Sequence, residues 1–199
     1  MQTSIRSTAA MLAAALALGS SGAQAATAPA VFDKVQVDKS RVGFVFKQMN
    51  VPVEGHFKRV KTDLVFDPAA PAKSSVRLEL DLASIDAGSA EANGEVVGKA
   101  WLNVKDAPTA TFVSTAVRPL GGNRFEVVGK LSLKGKTQEL TTPFTVSQQG
   151  DTATFDGTFT LKRLEYAVGD GMWADTSVVA NDVDIRFHAV AARSGGAKQ

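Results

Sequence analysis

Nucleophilic catalysis needs a nucleophile held beside a base, and this chain has few bases to offer: two histidines, His56 and His188, and no cysteine. His188 falls on the polar side of an alternating segment, where a solvated imidazole is the plain reading. His56 follows Gly55 near the start of another such segment. Neither belongs to a Gly-x-Ser-x-Gly elbow, a Ser-x-x-Lys pair or a His-Glu-x-x-His helix, where spacing alone places a nucleophile, base or metal. The expectation is a protein that is not an enzyme and has no catalytic residues.

Two further constellations have a plainer reading. Gly169-x-Gly171-x-x-Ala174 matches the dinucleotide fingerprint in letters, but that motif works only between a strand and a helix of a βαβ unit. Its glycines read as turn makers, and no cofactor is expected. Asp170, Asp175, Asp182 and Asp184 carry oxygens suited to calcium but fit no calcium-loop spacing, so no metal site is expected either. Basic groups at Lys58-Arg59-Lys61, Lys134-Lys136 and Lys162-Arg163 could receive an anionic head group, and more often such side chains are solvated at turns and rims. With 22 basic and 20 acidic residues the charge is nearly balanced, and no field favours nucleic acid.

The elements that would carry these residues are strands. Val76, Leu78, Leu80 and Leu82 alternate with Arg77, Glu79 and Asp81, giving one apolar and one wet face. The same alternation runs through Phe125–Lys134, Thr154–Lys162 and Asp182–His188, and further strands are expected at Val42–Lys47, His56–Phe66, Thr111–Val117 and Leu140–Ser147. Val31–Asp38 reads as a lead-in strand. Turn signals at Asp67-Pro68, Gly121-Gly122-Asn123, Lys134-Gly135-Lys136 and Gly150-Asp151 make neighbouring strands antiparallel. About eight half-buried strands must pack as a sandwich or close into a barrel. Residues 89–102 suit a short helix or ordered excursion. Residues 164–179, around Trp173, form a long connection expected over or beside a barrel entrance.

Eleven Phe and two Trp stand out against one Tyr. A small barrel can be filled by such side chains or can hold one apolar ligand among them. Phe44, Phe46, Leu80, Trp101, Phe112, Leu131, Phe155, Phe159, Trp173 and Phe187 are the candidate ligand-contacting residues. Gly129 and Gly157, in phase with the apolar faces, either remove volume from the lumen or mark strand bends.

The first 25 residues read as an export signal: Arg6, the apolar run Ala9 to Leu18, and the small-x-small site Ala23-Gln24-Ala25. The apolar run is about half of the roughly 20 residues a bilayer requires, so no integral membrane segment is expected. The domain expectation is a signal peptide over 1–25, one barrel over 26–193 and a disordered tail over 194–199.

The chain also resembles a known family, the YceI-like proteins of the bacterial envelope, which are lipocalin-like polyisoprenoid-binding barrels. The resemblance rests on Val37-Asp38-Lys39-Ser40-Arg41-Val42-Gly43-Phe44, Val53-Glu54-Gly55-His56-Phe57, Leu64-Val65-Phe66-Asp67-Pro68, Ala107-Pro108-Thr109-Ala110-Thr111-Phe112-Val113-Ser114-Thr115, Val128–Thr137 and Arg163-Leu164-Glu165-Tyr166-Ala167-Val168-Gly169, in that order and spacing. It implies an all-β fold, an antiparallel eight-stranded lipocalin-like barrel with a short helix and a long loop near its mouth. It also implies a periplasmic location and an isoprenoid or other long-chain lipid as partner. The oligomeric state is left open, a homodimer being one possibility. Two departures are visible: Gln48 stands where many members carry a histidine, and Tyr166-Ala167 replaces an aromatic-Gly pair.

Overall fold

A computed structural model describes residues 31–194. The expected signal peptide, and all of the expected tail but Ser194, lie outside the described residues.

Eleven strands form one strongly curled antiparallel sheet: β1 (Phe32–Val35), β2 (Arg41–Gln48), β3 (Val51–Phe57), β4 (Val60–Val65), β5 (Ser75–Asp81), β6 (Ile85–Asp86), β7 (Thr109–Gly121), β8 (Arg124–Leu133), β9 (Lys136–Gln149), β10 (Thr152–Lys162) and β11 (Val179–Arg193). Their order is β4-β5-β7-β8-β9-β10-β11-β2-β3-β6, with β1 beside β11. The sheet wraps back on itself at both ends. Phe32 and Phe66 exchange backbone hydrogen bonds of 2.9 and 3.0 Å, linking β1 to the end of β4. At the other end β6, continuing from β5, pairs with β3 through His56↔Asp86 and Phe57↔Ile85.

The strand count corrects the expected eight. His56–Phe66 is not one strand: it breaks at Lys58-Arg59, whose backbone N–H groups bond to Ser84. β3 begins instead at Val51, joined to β2 by a two-residue turn in which Met49 (φ 48°) and Asn50 (φ 63°) are both left-handed. That geometry suits the twist of a hairpin but is normally supplied by Asn-Gly or Asp-Gly, so Met49 hid the turn. β11 is also twice as long as its clear alternation, because its last residues pair with both β1 and β10.

Inward residues fall into two storeys. Phe32, Phe66, Phe125, Val127, Phe144, Val146, Ala153, Phe155 and Ala191 are buried together at one end. Phe66 is the hub, meeting Phe125 at 5.2 Å and Phe155 at 5.1 Å between ring centroids, both edge-on. Such pairs add roughly 0.5–1.5 kcal/mol each beyond area burial. At the other end the same strands turn Leu131, Leu133, Phe159, Leu161, Val183 and Ile185 inward around a second cluster.

The boundary between storeys is set by glycines. Along β10 the inward positions run Phe155, Gly157, Phe159, and along β8 they run Val127, Gly129, Leu131. A Cβ on Gly157 would collide with the ring of Phe187, and one on Gly129 would lie 2.5 Å from the ring of Phe112. Cross-strand aromatic rings thus occupy the space these glycines leave.

Candidate ligand cavity

The second storey is hollow. A cavity of about 460 Å³ lies among β2, β5, β7, β8, β10 and β11. That volume is within the range of pockets that enclose a small ligand. Its walls are apolar side chains placed by strand alternation, among them Phe44, Phe46, Leu80, Leu131, Phe159 and Ile185.

Two excursions cover it. The first carries a seven-residue helix, α1 (Ala90–Val96), capped by Ser89, whose Oγ accepts from the Ala92 N–H at 3.1 Å. A helix this short does not hold itself together in water, so packing must. Ala92 and Val96, one turn apart, supply it by facing the cavity. Asn93 Oδ1 ties the segment back by accepting from the Ala87 N–H at 2.6 Å. Glu91 and Glu95 also line the cavity and are exposed, so they mark its mouth together with Ser89 and Gln48.

The second excursion, residues 163–178, is organised by Arg163. This side chain is 1% exposed, and its guanidinium donates to five backbone carbonyls: Ala180, Val168, Gly169, Trp173 and Val179. Burial pushes its pKa down, but an arginine stays charged in proteins. Its counterpart is the ring of carbonyl dipoles and the face of Trp101, 5.5 Å away. Gly169, at φ 68°, has no side chain, and a Cβ there would run into Arg163 and Trp101. Lys134 adds a second anchor, donating to the Ala100 carbonyl at 3.0 Å and to that of Ala167. Trp101 and Trp173, one from each excursion, meet at 5.4 Å.

Of the ten residues singled out in the sequence, Phe44, Phe46, Leu80, Trp101, Leu131, Phe159 and Trp173 line the cavity. The other three do not. Phe155 is buried in the filled storey, and Phe112 and Phe187 stand at its upper edge over Gly129 and Gly157. Alternation placed all three inward correctly but carries no information about which half of a lumen is full.

Arg163 is the residue that sequence reasoning missed. It read as half of a solvated pair with Lys162, yet only Lys162 reaches solvent, pairing with Asp182 at 2.7 Å. Of the other basic groups, Lys58 pairs with Asp86 at 2.9 Å and Arg59 with Asp81 at 2.8 Å, while Lys61 and Lys136 are exposed. His56 is exposed, and His188 Nδ1 lies 2.6 Å from Asp156 Oδ1 on the outer face. Among the described residues no cluster of acidic residues and histidines is suited to a metal, and no helix is long and apolar enough to cross a membrane.

Comparison with known proteins agrees with this architecture. The "UPF0312 protein" of Pseudomonas savastanoi pv. phaseolicola is 34% identical over 193 residues, covering 89% of this chain and 95% of the relative. The crystal structure of Burkholderia cenocepacia BcnA is similar with a TM-score of 0.78 and 49% identity, covering 80% of this chain and all of that one. A polyisoprenoid binding domain from Saccharophagus degradans shares the fold at 16% identity, with a TM-score of 0.65 over 83% of this chain and 99% of that one. The profile of the YceI-like domain matches residues 34–191, and the chain belongs to the YceI-like family.

Proposed function

We propose that this chain is a periplasmic binding or carrier protein that holds a long-chain lipid of polyisoprenoid type in the hollow storey of its barrel and performs no chemistry on it. The observation that carries the reading is the cavity of about 460 Å³, walled by apolar side chains inside a fold whose other half is packed solid. A fold that needed only stability would fill both halves, since each methylene taken from water contributes roughly 0.8 kcal/mol. An apolar chain gains that contribution when it enters. The shared fold of the polyisoprenoid binding domain from Saccharophagus degradans supports the ligand class. The arginine among the cavity residues has every N–H committed to backbone, so the cavity offers the ligand burial rather than reactive groups.

The test is an organic extract of the protein purified under mild conditions from its host's envelope fraction, examined by mass spectrometry. The expected result is a long-chain apolar lipid in near-stoichiometric amount. An extract without such lipid favours the alternative, a stress-related interaction protein that carries no lipid.

A further inference from the structure

We propose that two tips beside the cavity mouth, one carrying Met49 and Val51 and the other Met172 and Val178, form an apolar lip that docks on a lipid bilayer. The ligand then passes between membrane and barrel without crossing water. This rests on the lipid-binding reading above and adds the surface from which the lipid comes. Among the described residues these are four of the eight large apolar side chains that stand exposed, Met49 at 69% and Met172 at 87% the most of all. Three of them are chain neighbours of cavity-lining residues: Met49 follows Gln48, Met172 precedes Trp173 and Val178 precedes Val179. The patch is therefore the outer side of the mouth itself. Hydrogen bonds hold the tips together. The Met49 N–H donates to the Val178 carbonyl at 2.8 Å, and one guanidinium nitrogen of Arg163 donates to the carbonyls of both Trp173 and Val179.

Met49 sits in its turn at φ 48°, a left-handed conformation that suits asparagine or glycine and costs a methionine. The chain thus keeps an apolar side chain where the turn favours a polar one, which gives Met49 a role in the surface rather than in the fold. A bilayer is the occupant that fits. Each methylene exposed on a passage through water makes that passage about fourfold rarer, and an apolar lip touching the membrane removes the exposure. Four side chains on two narrow tips also fall short of the roughly 800 Å² per partner that a stable protein interface buries. The charges around the mouth are mixed, Glu91, Glu95, Asp170 and Asp175 against Lys47, Lys99 and Lys134, and make no basic patch for anionic lipid. Docking should therefore rest on insertion of the apolar tips and be indifferent to salt. The two ends of the described chain meet elsewhere, at the filled storey, where the Ser194 N–H donates to the Val31 carbonyl at 3.3 Å.

The experiment takes protein recovered from its host's envelope fraction, delipidated, and follows its uptake of a fluorescent polyprenol from phosphatidylcholine vesicles at rising vesicle concentration. Docking makes the uptake rate climb with vesicle concentration, whereas a lipid that first escapes into water sets a rate independent of it. In Met49→Asn/Met172→Gln the asparagine suits the left-handed turn and the glutamine replaces a solvated side chain, so the variant should be as stable as the wild type. Its uptake rate, and its partition onto vesicles in flotation, should fall at least about tenfold, while its affinity for a short prenol offered in water stays unchanged. Val51→Thr/Val178→Thr keeps the shape of both side chains, should lower uptake in the same direction, and decides the matter if the first variant does not fold. A rate independent of vesicle concentration, or equal in wild type and both variants, overturns the docking surface while leaving lipid binding intact. So does uptake that requires phosphatidylglycerol and vanishes in salt, or a wild-type dimer that the variants lose, which would give the lip to a second copy. Absence of both vesicle uptake and prenol binding overturns the lipid reading as well.

Discussion

Phe187 and Gly157 stand directly opposite one another on β11 and β10, and the ring of the first fills the space the second leaves. Gly157 has ordinary extended backbone, so alanine there would be favoured in a strand but for that ring. Gly157→Ala alone should therefore destabilise by about 1–3 kcal/mol through overpacking. In a Phe187→Ala background the same change should be near neutral, giving a coupling of at least about 1 kcal/mol in denaturant unfolding. Equal effects in the two backgrounds would mean the ring does not occupy that space.

Phe155 and Phe159 are four residues apart on one strand face, one in the filled storey and one on the cavity wall. A carboxylate at 155 is buried without a partner, and losses above about 4 kcal/mol have such causes. Phe155→Glu should fail to fold at growth temperature. Phe159→Glu points into open space reached from the mouth, so it should fold and lose its lipid. Thermal unfolding with mass spectrometry of extracts separates these outcomes, and identical behaviour of the two variants would contradict the two-storey account.

Arg163 satisfies carbonyls from both ends of the 163–178 connection, a task that no other side chain shape performs. Lysine has three donors where arginine has five in a planar fork. Arg163→Lys should leave buried carbonyls unpaired at about 1–3 kcal/mol each and accelerate amide exchange across residues 164–178. Lys162→Ala removes only an exposed pair and should leave exchange across the same residues unchanged. Unchanged exchange in Arg163→Lys would remove the latch.

Glu91 and Glu95 stand one turn apart at the mouth, exposed, and neither forms an ion pair among the described residues. A lipid with a phosphate head should bind more weakly than the same chain ending in an alcohol, by about three- to tenfold at low salt. In Glu91→Gln/Glu95→Gln that difference should shrink, as it should at high salt. Titration of the matched pair on both proteins reads it, and an unchanged ratio in the double variant would show that the rim charge plays no part.

How much of this was visible in the chain depends on what each residue reports. Leu80, Leu131 and Phe159 were placed inward by period-two alternation, which follows from the pleat itself. Phe155 and Phe187 obeyed the same rule and were assigned to the ligand, because alternation fixes a face and not the neighbours across the lumen. Arg163 was read as solvated because a charge beside Lys162 carries no local sign of burial; its carbonyl partners lie up to seventeen residues away. Ala167 is different: it adopts φ 54° at the end of the Arg163–Tyr166 turn, a glycine-like conformation whose sign in the chain is that it stands where the family's aromatic-Gly pair has glycine.

The most direct test of the central claim is where the chain of a bound lipid lies. Delipidated protein with labelled Leu, Ile and Val methyls, loaded with an unlabelled fifteen-carbon prenol, can be examined for intermolecular nuclear Overhauser effects. The account predicts contacts from the prenol chain to Leu80, Leu131, Val183 and Ile185, and none to Val127 or Val146 in the filled storey. Contacts to Val127 and Val146, or contacts confined to outward-facing residues such as Val113, would contradict it.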